Sequence, residues 1–162
     1  MFHIIDIVAG WFVFEINSVE DAFEIDCSKC ADIDVGRQFL DIANGLSKRQ
    51  LIQRYMCLNS EQYVYRMELQ TNSVTVKIQI CEIVSGEDAS VTAFRFINAT
   101  PSALDFATVK PPVFIAENDA FEFAMSIYKE FLNLDKEKYE KNWFPFPQAE
   151  FEKLNQYMRY RI

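Results

Sequence analysis

Residues 119–134, DAFEFAMSIYKEFLNL, constrain the fold more than any other stretch. Glu122, Ser126, Lys129, Glu130 and Asn133 form one polar stripe at helical spacing. Ala120, Phe121, Phe123, Ala124, Ile127, Tyr128, Phe131 and Leu132 fill the remaining surface. A helix this widely apolar must be covered on more than one side, so the rest of the chain has to wrap it. Asp119 and Glu122 have capping-box spacing at its start, with Asp in place of Ser or Thr.

Strands are expected to supply that cover. Trp11–Ile16 alternates, with Phe12, Phe14 and Ile16 on one face. Ala22–Cys27 puts Phe23, Ile25 and Cys27 on one face and Glu24 and Asp26 on the other, and residues 17–21 join the two as a hairpin. Met1–Val8 reads as a further short strand. Val35, Phe39, Ile42 and Leu46 recur at helical spacing, so a helix is expected over 34–44, with Asp32 or Asp34 as its cap and Asn44-Gly45 as its end. Residues 50–58 fit a helical turn or a strand. Gln62–Gln70 and Val74–Ile80 alternate cleanly, with Val74, Val76, Ile78 and Ile80 inward and a bulge where the phase breaks at Cys81. Ser90–Ile97 reads as another strand and Val113–Ala116 as an edge strand. Short charged and C-terminal helices follow, the latter starting at Pro147. Locally paired strands with few helices between them predict one α+β domain over residues 1–162, an antiparallel meander-rich sheet with helices packed on one face.

Charge is uneven. Met1–Gly45 carries nine acids against Lys29 and Arg37, which accounts for nearly all of the net charge of −8. An acidic chain argues against nucleic acid or an anionic membrane as partner. It is compatible with a soluble face or with a patch for a basic protein. Asp6 and Glu15 interrupt the apolar N-terminal run, and no Lys or Arg precedes it, so neither a signal peptide nor a membrane span is expected; the cytoplasm is the expected location.

Candidate chemistry is thin. His3 is the one histidine, two residues from the first. A nucleophilic triad built on it would need that terminus drawn into a pocket. Cys27-x-x-Cys30 has the spacing of half a zinc site, but Cys57 and Cys81 supply no matching pair, and packing or incidental thiols are favoured. No Gly-rich nucleotide motif is present, so neither a catalytic residue nor a metal or cofactor is assigned. The aromatic run Trp143-Phe144-Pro145-Phe146-Pro147 is expected to buttress the helices; an exposed hot spot is the other reading.

Two stretches, Trp11–Asn17 and Asn142–Pro147 followed by Phe151 and Leu154, together with the layout between them, resemble small acidic bacterial proteins of uncharacterised families, some of the immunity-protein type. The resemblance implies no catalytic residues. It implies a cytoplasmic, non-enzymatic inhibitor whose acidic surface meets a basic toxin. The surface residues expected to do so are Glu20, Asp21, Glu24, Asp26, Asp32 and Asp34. The alternative is a small-ligand domain or enzyme with a pocket between sheet and helices.

Overall fold

The computed structural model describes residues 1–29, 32–51 and 53–161. Strands β1 (Phe2–Val8), β2 (Trp11–Asn17) and β3 (Ala22–Ser28) form an antiparallel sheet in that order. The alternation of β2 buries Phe12, Phe14 and Ile16 completely, and each such side chain contributes about 1.5–3 kcal/mol. Strand β1 reads FHIIDIV, which does not alternate cleanly. A register shift between Ile4 and Asp6 re-phases it, so that Phe2, Ile4 and Ile7 all point inward while Ile5 stays exposed.

The second sheet is also antiparallel, in the order β4 (Gln53–Asn59), β5 (Val64–Thr71), β6 (Thr75–Val84) and β7 (Thr108–Asp119). The strands thus divide between two sheets, and residues 53–59 resolve as strand. Val76, Ile78 and Ile80 are fully buried, but Val74 lies outside β6 and is exposed. The phase break at Cys81 is a bulge against β7, opposite Pro112. Strand β7 is an edge, as expected of Val113–Ala116, though it runs on both sides of that segment. Strands β3 and β4 meet between the sheets, and the Phe23 ring lies 5.5 Å from Tyr65 and 5.9 Å from Phe114.

Helix α1 (Val35–Ser47) is capped by Asp34, whose side chain accepts from Arg37 N. It runs past Asn44-Gly45 because Gly45 serves a close approach instead of an end. A Cβ there would stand 3.0 Å from Leu51 Cβ, and the Gly45 carbonyl accepts from Gln50 N and Leu51 N as the chain turns towards β4. Residues 90–97 are helical, contrary to the strand expectation: α2 (Ala89–Ile97) starts at the Asp88 cap and buries Thr92, Ala93 and Phe96 at helical spacing. It packs on β4 and β5. Helix α3 (Ala120–Leu132) is the widely apolar one, capped by Asp119 and packed against α1, β1, β6 and β7 and against the last helix, α5 (Gln148–Arg159). Helix α4 (Lys136–Asn142) lies beside β1.

Helix α3 also closes the edge of the first sheet. Phe2 N donates to Ser126 Oγ at 3.0 Å and Ile4 N to Glu130 Oε2 at 2.9 Å. Backbone groups that would otherwise invite another strand are thereby occupied. The aromatic run after α4 does buttress the core. Trp143 is buried against Phe12 at 5.6 Å, and Phe146 packs on Tyr139 and Phe151. The space between sheets and helices is filled by this one cluster.

Candidate functional site: an acidic sheet face and its edge hollow

The structure separates the six expected acids into two groups. Glu20 and Asp21 lie exposed in the β2–β3 turn, and Glu24 and Asp26 point outward from β3. Asp32 and Asp34 stand at the start of α1, beside a different hollow.

Register adds a residue that was not singled out. Glu15 lies directly opposite Glu24, and Asp26 lies opposite Val13, all on the outer face of the first sheet. Like charges opposed in register repel each other across a sheet. The two bases of this part of the chain do not relieve them. Lys29 Nζ donates to the Trp143 carbonyl and sits over the Phe144 ring. Arg37 pairs with Glu150 at 2.8 Å. His3, across from Glu15 on β1, has Nδ1 3.0 Å from Glu130. Among the described residues, Glu15, Glu20, Asp21, Glu24 and Asp26 form no ion pair, whereas Asp6 is held by Lys138 at 2.6 Å. That contact and the Ile7 amide hold the Asp6 carboxyl below its usual range.

Along the outer edge of β3, between that strand and the β4–β5 turn, runs a hollow of about 470 Å³. Trp11, Phe23 and Tyr65 line it with aromatic rings, Glu24 and Asp26 with carboxylates, and Ser60, Glu61 and Gln62 of the turn complete it. Ser28 Oγ donates to Glu61 Oε1 at 2.6 Å, which ties the turn to β3.

Asp34 belongs to the fold. Its Oδ1 accepts from Arg37 N at 3.1 Å, from Tyr139 OH at 3.0 Å and from Trp143 Nε1 at 3.1 Å. Such a node joins the start of α1 to α4 and the aromatic run. Burial, with the Asp34 carboxylate beside it, pushes the Tyr139 phenol far up. Gly36 is required there, because a Cβ would meet the Tyr139 hydroxyl at 2.4 Å.

A groove of about 520 Å³ runs between α1 and α2, with Tyr55 and Cys57 as its floor and Asp32, Asp41, Arg37, Phe96 and Ile97 in its walls. Desolvation raises the Asp41 carboxyl, with Arg54 opposing the shift. Burial pushes the Cys57 thiol up to about 12 and raises Cys27 and Cys81 as well. Buried protonated thiols are poor nucleophiles. Cys27, Cys57 and Cys81 are free; Cys30, and with it the paired-cysteine spacing, lies outside the described residues. Among the described residues no group of His, Cys, Asp or Glu is arranged to hold a metal ion. No helix among them is long and apolar enough to cross a membrane.

Comparison with family models, curated proteins and solved structures finds no match.

Proposed function

We propose that this protein is a non-enzymatic interaction module that captures a basic protein partner on the outer face of its three-stranded sheet. The observation that carries the reading is the in-register opposition of Glu15 and Glu24, extended by Asp26, Glu20 and Asp21. A partner's Lys and Arg side chains would relieve that repulsion on docking. Opposed charge would mainly speed association. Within this proposal, the expected resemblance to immunity-type proteins would make the partner a toxin, the setting the cytoplasm, and the mechanism occlusion of the toxin's active site.

The test begins with capture from the source cell at low and moderate salt, followed by binding kinetics with the purified partner. Changing Glu15, Glu20, Glu24 and Asp26 together to Lys should slow association at low salt by at least about tenfold and flatten its salt dependence. A folded variant that keeps both the rate and the salt response would sink the proposal.

A second reading, a small-ligand site, is favoured by the α1–α2 groove with its desolvated Asp41. A metabolite whose binding is lost on Asp41→Asn, with the acidic sheet face indifferent to every captured protein, would favour it.

A further inference from the structure

The hollow along β3 has a chemistry more specific than negative charge. Its lining combines three aromatic rings, Trp11, Phe23 and Tyr65, with the carboxylates of Glu24 and Asp26, and by register Trp11, opposite Ser28, shares the outer face with Asp26. The Phe23 and Tyr65 rings meet edge to face at 81° and fix each other, and Phe114 backs Phe23. These walls are therefore set before anything binds. Glu24 and Asp26 are two apart on one strand, so their Cα atoms are separated by roughly 7 Å. A planar guanidinium can lie against an aromatic ring and donate to carboxylates at its edge. A lysine ammonium is a compact point charge without a flat face. Sodium would use the carboxylates and leave the rings idle, and an ammonium can sit over a ring, as Lys29 does over Phe144, but cannot lie flat against it while donating in its own plane to carboxylates.

We propose that this hollow receives an arginine side chain of the protein partner, stacked against its aromatic wall and paired with Glu24 and Asp26. The proposal rests on the interaction reading above and names the anchor that the acidic face guides into place. Arginine in a desolvated pocket is a common interface hot spot, and Glu24 in the hollow follows the turn acids Glu20 and Asp21 closely along the chain.

The two tryptophans make the test selective. Trp11 lines the hollow and Trp143 is 1% exposed in the core. Full-length protein labelled with fluorotryptophan gives two fluorine NMR signals, assigned with Trp11→Phe. N-acetyl-arginine amide should shift the Trp11 signal saturably, in the millimolar range, and leave Trp143 unmoved. N-acetyl-lysine amide should bind several-fold more weakly, and the uncharged citrulline analogue should leave Trp11 unmoved. The double change Glu24→Gln with Asp26→Asn should weaken the arginine response by about tenfold, one strong contact's worth, with Trp143 reporting an intact core. Equal responses to arginine and lysine, or no saturable shift of Trp11, would overturn the assignment. If the hollow fails this test while charge reversal of the face still slows the partner, the hollow is refuted and the interaction reading survives. If arginine binds but the captured partner ignores the face, the interaction reading is the one that falls.

Discussion

The two sheets treat charge on their outer faces in opposite ways. In the four-stranded sheet Lys77 lies between Gln70 on one side and Glu117 on the other. Gln53 and Gln70 both donate to Glu68 Oε1, at 2.8 and 2.9 Å, and Lys110 reaches Glu82 at 3.7 Å. In the three-stranded sheet Glu15 faces Glu24 with no cation between them. Both sheets have apolar inner faces, and the outer face of the second also meets α2 beside Tyr55 and Cys57. The second sheet sets its charges against opposite or neutral polar partners, while the first leaves two carboxylates opposed.

The strongest way to break this contrast is to show that acids of the first quarter are all alike. They are not expected to be. Asp34→Ala removes a helix cap, about 1 kcal/mol, and leaves two buried donors, Tyr139 OH and Trp143 Nε1, without their acceptor, at about 1–3 kcal/mol each. A total loss of at least about 3 kcal/mol in urea unfolding is the expected outcome. Asp34→Asn keeps an acceptor oxygen and should lose less than half of that. Glu24→Ala removes the same charge and should leave the unfolding midpoint unchanged or slightly raised. Equal losses at positions 34 and 24 would erase the distinction between an acid of the fold and an acid of the surface.

The seam between the sheets offers a second test. Cys27 on β3 and Cys57 on β4 are buried where these strands meet, and burial raises both thiols. The Cys57 thiol rises from 9.0 to about 12, so the native state holds its proton through a range in which the unfolded chain gives it up. Stability from this group is fully present below pH 9.0 and is lost as pH climbs towards about 12. Each such group contributes a slope of about 1.4 kcal/mol per pH unit within its window. Unfolding midpoints measured across that range should fall, and Cys57→Ala should flatten the fall whatever it does to stability at neutral pH. An unchanged slope would mean that the thiol reaches solvent in the folded protein.

Much of this was legible in the residues. Alternation in 11–16, 22–27, 62–70 and 74–80 identified the strands because one face of each is buried. The capping spacing and apolar width of 119–134 identified α3. Alternation does not say which strands share a sheet, so the division between β3 and β4 was hidden. Residues 90–97 were read as a strand, while the decisive signal was the cap at Asp88 followed by burial of Thr92, Ala93 and Phe96. For the site, the excess of acid was plain, but its geometry depended on register. Glu15 acquires meaning only once it stands opposite Glu24. Asp34 was readable as a cap. Its second role was not, since Tyr139 and Trp143 lie 105 and 109 residues away.

The smallest expected effect is the one that tests the comparison between sheets most directly. Glu24→Lys places a cation opposite Glu15 and gives the first sheet the arrangement that the second already has. Lys77→Glu does the reverse, setting two carboxylates opposite each other at positions 77 and 117. Cross-strand charge pairs are worth about 0.2–1 kcal/mol, so the first change should stabilise and the second destabilise by amounts of that size. Both residues are exposed, and the two shifts should therefore shrink together as salt is added, because screening acts on both alike. Urea midpoints at low and high ionic strength would check this. Opposite signs at low salt that converge at high salt would show that the first sheet carries an electrostatic strain the second lacks. If Glu24→Lys destabilised as well, its carboxylate would have a structural role in the hairpin, and the charge on that face would be explained by folding without recourse to a partner.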